Sequence, residues 1–156
     1  ADTIVLDFRG NPGGSLSAAI DIASEFLADG EVLETDGPNF DNVFEVTDPG
    51  VATDPDIELI ILLDSGSASA SEVVAGALQE RGRAVVVGES SVGKNTVQQV
   101  FRLPGGGGLK LTIARWLTPE RRDYGGTGLF PDVEIELPFD LLPEQLTDLA
   151  IESAAG

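Results

Sequence analysis

The sequence contains neither histidine nor cysteine. Without histidine there can be no Ser-His-Asp triad and no histidine-ligated zinc, and without cysteine there is neither a thiol nucleophile nor a disulfide. No apolar run is long enough to span a bilayer, and the chain does not open on the charged and apolar segments of a signal peptide. Any hydrolytic chemistry in this chain therefore needs a base other than histidine.

Positive charge is also scarce. Nine Lys and Arg residues face 27 Asp and Glu residues, which gives a formal net charge of −18. Such a charge repels phosphate backbones, so we expect no nucleic-acid partner. The acidic residues show no metal-ligand spacing, so we predict no metal site. Only two lysines occur, Lys94 and Lys110, and Lys94 stands in a loop after an apolar run, which makes it a candidate base.

The apolar pattern predicts a single α/β domain. A chain of 156 residues with 42% hydrophobic content can bury one core. Strand, helix and strand follow one another around residues 57–87, which indicates a right-handed βαβ unit in a largely parallel sheet. We predict strands at 3–8, 57–63, 84–87, 96–103, 109–117 and 133–137, helices from about 16, from about 70 and at 143–154, and an edge strand plus an exposed loop within 31–56. Strands 96–103 and 109–117, which flank Pro104 and four glycines, should form a hairpin.

Two loops hold the candidate chemistry. The segments SGSASASE and GESSVGKNTVQ each follow a predicted parallel strand, and the carboxyl ends of such strands meet at one edge of the sheet. A serine at the start of a helix lies near free N–H groups that stabilise an anionic intermediate. A lysine serves as base only when neutral, which an apolar setting favours, and we expect Val92, Gly93 and Val97 to supply that setting around Lys94.

These motifs resemble the carboxyl-terminal processing (tail-specific) serine peptidases, which use a Ser/Lys catalytic dyad. The resemblance is carried by LDFRGNPGG, GSASASEVVAGALQERGRAVVVGESSVGKNTVQ and LKLTIARWLTPERRDYGGTGLFPDVEIE, in the order of the family. It implies a ClpP/crotonase-like peptidase core with a mostly parallel sheet, flanking helices and a C-terminal β-hairpin region. It also implies a serine endopeptidase that cleaves polypeptides, near their C-termini, through an acyl-enzyme and without a cofactor.

The resemblance assigns a role to five residues. The family nucleophile falls on Ser69, and the lysine base follows 25 residues later (94 minus 69) at Lys94. A glutamine four residues beyond, Gln98, orients the lysine, and we expect the two side chains to share one face of a strand. The oxyanion hole is implied to consist of the backbone N–H groups of Gly14 and Ala70.

Family members are larger than this chain and usually work outside the cytoplasm. We therefore expect residues 1–156 to form one catalytic core domain, with the PDZ domain and the amino-terminal region of the family lying elsewhere in a parent protein. The substrate would be a polypeptide, bound by its C-terminal region. By the same analogy the parent protein belongs to the cell envelope or periplasm, or is otherwise exported, although no signal peptide is recognisable here.

Other interpretations stay open at this stage. The working hydroxyl could belong to Ser65, Ser67 or Ser71. The segment 88–95 nearly spells a phosphate-binding P-loop, but the residue after its lysine is asparagine, and a strand pattern follows where a helix is required. Residues 91–94 form an SxxK tetrad without its usual partner motifs. A catalytically silent peptide-binding module on the same fold is a further alternative.

Overall fold

The computed structural model describes residues 2–138, 140–141 and 143–155, so the ends of the predicted domain, Ala1 and Gly156, lie outside it. Within the described residues the chain forms three helices and eight strands, as the following bounds show. In chain order these are β1 (Thr3–Asp7), α1 (Leu16–Ser24), β2 (Glu31–Asp36), β3 (Asn42–Glu45), β4 (Glu58–Leu63), α2 (Ala70–Glu80), β5 (Val85–Gly88), β6 (Thr96–Arg102), β7 (Gly108–Leu117), β8 (Val133–Glu134) and α3 (Pro143–Ala154). None of these helices combines the length and apolarity needed to cross a membrane.

A parallel sheet of four strands forms the centre of the fold. Its order is β1-β4-β5-β8, and every neighbouring pair runs parallel, as the strand-helix-strand pattern predicts. Strand β8 has only two residues, Val133 and Glu134, and is shorter than the predicted 133–137. The mixed α/β class with flanking helices is confirmed.

Strand β4 is buried on both faces, which explains its uninterrupted apolar sequence. Leu59, Ile61 and Leu63 pack with α1 and α2 on one side of the sheet. Ile60 and Leu62 pack towards α3 on the other side. Because alternate side chains of a strand point to opposite faces, this one strand contributes to both layers of the core.

A second sheet, of antiparallel strands, was not predicted as a separate unit. Its order is β3-β2-β7-β6, and it includes the expected hairpin of β6 and β7. The prediction of an edge strand plus a loop for residues 31–56 was incomplete, because that segment contains two strands. Strand β2 lies inside the sheet, paired with β3 on one side and β7 on the other. The acidic composition of the segment favoured an exposed loop, so the sequence did not indicate that both strands pair within a sheet.

The loops after β1 and β4 are tied together at the carboxyl edge of the parallel sheet. The buried carboxylate of Asp64 accepts hydrogen bonds from the Gly10 N–H at 2.8 Å and from the Gly66 N–H at 2.9 Å. The Ser67 hydroxyl donates to the carbonyl of Phe8 at 2.8 Å. These contacts hold the glycine-rich loop beside the start of α2.

Arg9 braces the same edge. Its guanidinium lies 2.9 Å from the Asp7 carboxylate and donates to the carbonyl of Pro138 at 2.8 Å. Burial by itself raises the pKa of Asp7, but the hydrogen bonds and charge of Arg9 outweigh burial, so the pKa of this carboxyl lies below its ordinary value. Arg9 therefore connects the end of β1 to the segment that follows β8.

Candidate active site

Ser69 occupies a strained turn immediately before α2. Its backbone has φ 57° and ψ −113°, a conformation that a residue with a side chain rarely adopts. Strain of this kind costs about 1 to 3 kcal/mol and clusters at functional sites. Ser65 is exposed, whereas Ser67 and Ser71 are buried and donate to backbone carbonyls, so their hydroxyls are already engaged. Of these four serines, only Ser69 lines the cavity described below.

The glycine-rich loop packs directly against this turn. Gly13 has φ +96°, and a Cβ there would lie 2.6 Å from the Ala68 carbonyl oxygen and 2.8 Å from the Ala70 nitrogen. Only glycine allows this approach. The carbonyl of Asn11 accepts a hydrogen bond from the Ala68 N–H at 3.0 Å, which fixes the loop to the turn.

Gly14 and Ala70, the two residues implied to form the oxyanion hole, lie beside the same cavity. Both residues line it, and within the described residues neither N–H has a hydrogen-bond acceptor. A Cβ on Gly14 would meet nothing within 4 Å. Space at position 14 therefore does not require glycine, whereas the close contact at Gly13 does.

Glu72 joins the serine turn to the lysine loop, and the sequence analysis did not single it out. The side chain is fully buried at 0% exposure. Its Oε2 accepts from the Ser69 N–H at 2.6 Å and from the Lys94 N–H at 2.9 Å. Its Oε1 accepts from the Ser91 hydroxyl at 2.5 Å and from the Gly93 N–H at 2.6 Å. One carboxylate thus holds both candidate catalytic residues by their backbones.

The lysine loop is also fixed from its other side. Trp116, 2% exposed, donates its indole N–H to the Lys94 carbonyl at 3.0 Å. Gly93 has φ +79°, and a Cβ there would lie 2.5 Å from the Gly128 nitrogen, so only glycine fits. The backbone of Lys94 is therefore held firmly while its side chain extends into an exposed cavity.

The cavity brings together all five residues that the resemblance assigns. It has a volume of about 330 Å³ and is lined by Ser69, Lys94, Gln98, Gly14 and Ala70. Apolar contacts come from Leu16, Val73, Val97 and Trp116. Val97 lines the cavity as predicted, whereas Val92, which is 48% exposed, and Gly93 do not line it, so the prediction for these two residues was wrong.

We expected Lys94 and Gln98 to share one face of a strand, but they do not. Strand β6 begins at Thr96, so Lys94 lies in the loop before it. The pairing of β6 with β7 shifts register between Val97 and Gln98. A register shift breaks the alternation of faces, and three successive residues from Thr96 to Gln98 can then line one cavity.

The two competing motifs have different structural roles. After the P-loop-like segment the chain continues as strand β6, so there is no helix N-terminus to bind phosphate. Ser91 of the SxxK tetrad is 8% exposed, donates to Glu72, and accepts a hydrogen bond from the Leu129 N–H at 2.8 Å. Among the described residues no group of three potential metal ligands occurs.

Comparison with known proteins identifies the family. Residues 1–135 match peptidase family S41. A carboxyl-terminal-processing protease of Picosynechococcus sp. is 42% identical over 132 residues, which cover 85% of this chain and 31% of that protein. A carboxy-terminal-processing protease of Bartonella bacilliformis is 43% identical over 142 residues, which cover 90% of this chain and 32% of that protein.

A solved structure, titled photosystem II D1 C-terminal processing protease, superposes with a TM-score of 0.83 at 31% identity. The match covers 99% of this chain and 40% of that one. The present chain spans about a third of the length of the two curated relatives. Because the family match extends over most of the sequence, the chain belongs to peptidase family S41.

Proposed function

We propose that the protein is a serine endopeptidase in which Ser69 is the nucleophile and Lys94 the general base. The observation that carries the proposal is one cavity lined by a strained serine, a lysine, a glutamine and two residues whose backbone N–H groups have no acceptor among the described residues. Membership of peptidase family S41 supports the same reaction class. Since histidine is absent, lysine is the base that the cavity offers.

In the acylation step the neutral amine of Lys94 takes the proton of the Ser69 hydroxyl as its oxygen attacks the scissile carbonyl carbon. The backbone N–H groups of Ala70 and Gly14 donate to the resulting oxyanion. A single donor of this kind contributes about 2.7 to 4 kcal/mol to transition-state stabilisation. The carbon–nitrogen bond then breaks, and Lys94 gives the proton to the leaving amine.

In the deacylation step Lys94 takes a proton from water, which attacks the acyl carbon. The bond to the Ser69 oxygen breaks, and the proton returns to that oxygen. Gln98, which lines the same cavity, orients the amine of Lys94 by a hydrogen bond during both steps. No step requires a cofactor.

The test combines turnover with chemical trapping. Cleavage of an unstructured polypeptide should be lost in Ser69→Ala and should fall by about 10²- to 10⁴-fold in Lys94→Met. A fluorophosphonate should label Ser69, as read by peptide mass spectrometry. Melting temperature should stay unchanged in Lys94→Met, because its exposed side chain forms no ion pair among the described residues. Full activity in either variant would refute the dyad.

Peptide binding with no labelling of Ser69 at any pH would favour the alternative of a catalytically silent peptide-binding module on this fold.

We further propose that the active protein contains this core together with a PDZ domain, acts near substrate C-termini, and works in the cell envelope or another exported compartment. The short share of each relative that the chain covers is consistent with a longer parent. Fractionation of the source cells with an antibody against the core tests the compartment. Recovery of a full-length cytoplasmic protein would contradict it.

A further inference from the structure

Both lysines of the chain line the same cavity. Lys94 and Lys110 are far apart in sequence and are the only two lysines among 156 residues. Although 27 residues are Asp or Glu, none of the described residues that line the cavity is acidic. The cavity is therefore a local region of positive charge on a molecule with a formal net charge of −18.

Lys110 projects from the hairpin on the side of the catalytic residues. Lys110 pairs with Val100 across β6 and β7. The pair of Gln98 and Thr112 lies two residues away along the two strands. Residues two apart on a strand share a face, and such diagonal neighbours lie roughly 7 to 8 Å apart. The Lys110 side chain can thus reach an extended substrate about two residues beyond the substrate position nearest to Gln98.

Lys110 has no ionic partner within the described part of the chain. Its residue is exposed, and no carboxylate lies within salt-bridge distance. Five of the seven arginines, by contrast, form ion pairs with Asp or Glu: Arg9, Arg81, Arg115, Arg121 and Arg122. In so acidic a chain, an unpaired ammonium beside the reaction centre is available to an external anion.

We infer that Lys110 binds a carboxylate of the substrate and makes the cavity selective for acidic peptide segments. The inference rests on the proposed function, in which Lys94 must be uncharged to act as base. Lys110 then supplies the cationic side chain among the described lining residues. The carboxylate can come from an Asp or Glu side chain or from the substrate's free C-terminus, since both present the same group.

The selectivity should be modest and sensitive to salt. An ion pair formed by an exposed lysine changes an equilibrium by roughly two- to fivefold, so we expect a preference of that size in kcat/KM for Glu over Gln at one substrate position. Raising the ionic strength from about 0.05 M to 1 M shortens the screening length severalfold and should remove most of the preference.

The experiment uses a peptide series with one cleavage site, in which Glu, Gln or Lys occupies each of four positions on either side of the scissile bond. A second series compares a free C-terminal carboxylate with an amide. The Glu preference should vanish in Lys110→Met, persist in Lys110→Arg, and reverse towards Lys in Lys110→Glu. Whichever series shows the preference identifies the source of the carboxylate.

Arg102→Met is the matched control. Arg102 lies on the same hairpin opposite Gly108, is exposed, and is not among the described residues that line the cavity. Its removal changes the net charge by the same amount and should leave the preference intact. Loss of the preference in Arg102→Met as well would assign it to overall charge and overturn the proposal.

Two readouts separate this inference from the proposed reaction. Cleavage of the neutral Gln peptide by the unaltered protein tests the dyad alone, whereas the ratio of Glu-peptide to Gln-peptide cleavage in Lys110→Met tests the inference. If the neutral peptide is not cleaved, binding of Glu and Gln peptides to Ser69→Ala by fluorescence anisotropy still measures the preference. Equal affinities of the Glu and Gln peptides there would refute carboxylate recognition. So would a loss of turnover in Lys110→Met that is equal for the Glu and Gln peptides and accompanied by a shifted pH profile.

Discussion

The two sides of the catalytic cavity are built from very different parts of the molecule. Ser69 precedes helix α2, in which every residue from Ser71 to Leu78 is buried. Gln98 and Lys110 lie on the β6–β7 hairpin, where most residues are exposed. Core packing thus positions the proposed nucleophile, whereas an exposed hairpin carries the residues that we propose to orient the base and to meet the substrate.

This difference shows why polar contacts, and not apolar burial, must set the geometry between Ser69 and Lys94. Hydrophobic contact is non-directional and cannot hold an exposed lysine loop at a fixed distance from a serine. Glu72 bridges the two sides by accepting hydrogen bonds from the backbones of Ser69 and Lys94, and Trp116 donates to the Lys94 carbonyl. Changes that remove a bridge should therefore reduce catalysis more than equal losses of stability elsewhere in the fold.

The largest expected effect comes from Glu72→Gln. The amide nitrogen of glutamine would face two hydrogen-bond donors that now share one carboxylate oxygen, leaving buried donors without an acceptor. We expect the free energy of unfolding to fall by about 3 to 5 kcal/mol. Turnover by the remaining folded protein should fall at least about tenfold, measured well below its melting temperature.

Glu80→Gln is the matched control at the other end of α2. Glu80 has a side-chain exposure of 3% and accepts from the Thr118 hydroxyl at 2.8 Å and from the Glu120 N–H at 2.9 Å. The Glu80→Gln protein should lose stability without losing turnover per folded molecule. Equal losses of turnover in both variants would mean that Glu72 acts through stability alone and does not position the dyad.

A smaller effect is expected from Gly13→Ala, compared with Gly10→Ala. Both glycines have positive φ, at +96° and +64°, so alanine strains either backbone by about 1 to 2 kcal/mol. At Gly13 the added Cβ also meets the Ala68 carbonyl at 2.6 Å, whereas at Gly10 it meets nothing within 4 Å. We expect a total cost of about 3 kcal/mol at Gly13, with impaired turnover, and about 1 kcal/mol at Gly10.

Urea unfolding and peptide cleavage of the two variants provide the measurement. Since the crowding at Gly13 involves the turn that carries Ser69, displacement of that turn should lower kcat. Indistinguishable stability and turnover in the two variants would show that the glycine loop does not depend on close contact with the nucleophile turn.

The buried half of the molecule could be predicted from sequence because its patterns are local. In Glu58–Leu63 the uninterrupted apolar sequence after the glutamate indicated a central strand. The helix after Ser69 was indicated by apolar residues at helical spacing: Val73, Val74, Ala77 and Leu78. The resemblance then selected five residues, and the structure gathers them around one cavity. Their catalytic roles remain predictions.

The contacts that link the two sides of the cavity could not be predicted, because they join segments that are distant in the sequence. Glu72 reads as an ordinary helix acid in SASASE, yet its partners Gly93 and Lys94 lie more than 20 residues away. The pairing of β2 with β7, and the register shift before Gln98, are likewise set by tertiary contact. The spacing of Ser69 and Glu72, a glutamate three residues after a serine at the predicted start of a helix, was the one available signal for Glu72.

The smallest effect on catalysis is expected from Ser91→Ala, which tests the SxxK alternative. Ser91 donates to Glu72 and accepts from the buried Leu129 N–H, so its loss should cost about 1 to 3 kcal/mol of stability. Ser90→Ala is the control, since no hydrogen bond of the Ser90 hydroxyl occurs among the described residues.

Glu72 keeps its three backbone donors in Ser91→Ala, from Ser69, Gly93 and Lys94. The bridge between the two sides of the cavity therefore survives, and kcat should fall less than about tenfold, well short of the effect of losing a general base. Cleavage and urea unfolding of both serine variants supply the comparison. Abolished turnover in a folded Ser91→Ala protein would move the nucleophile from the turn before α2 to the lysine loop and would refute the role given to Ser69.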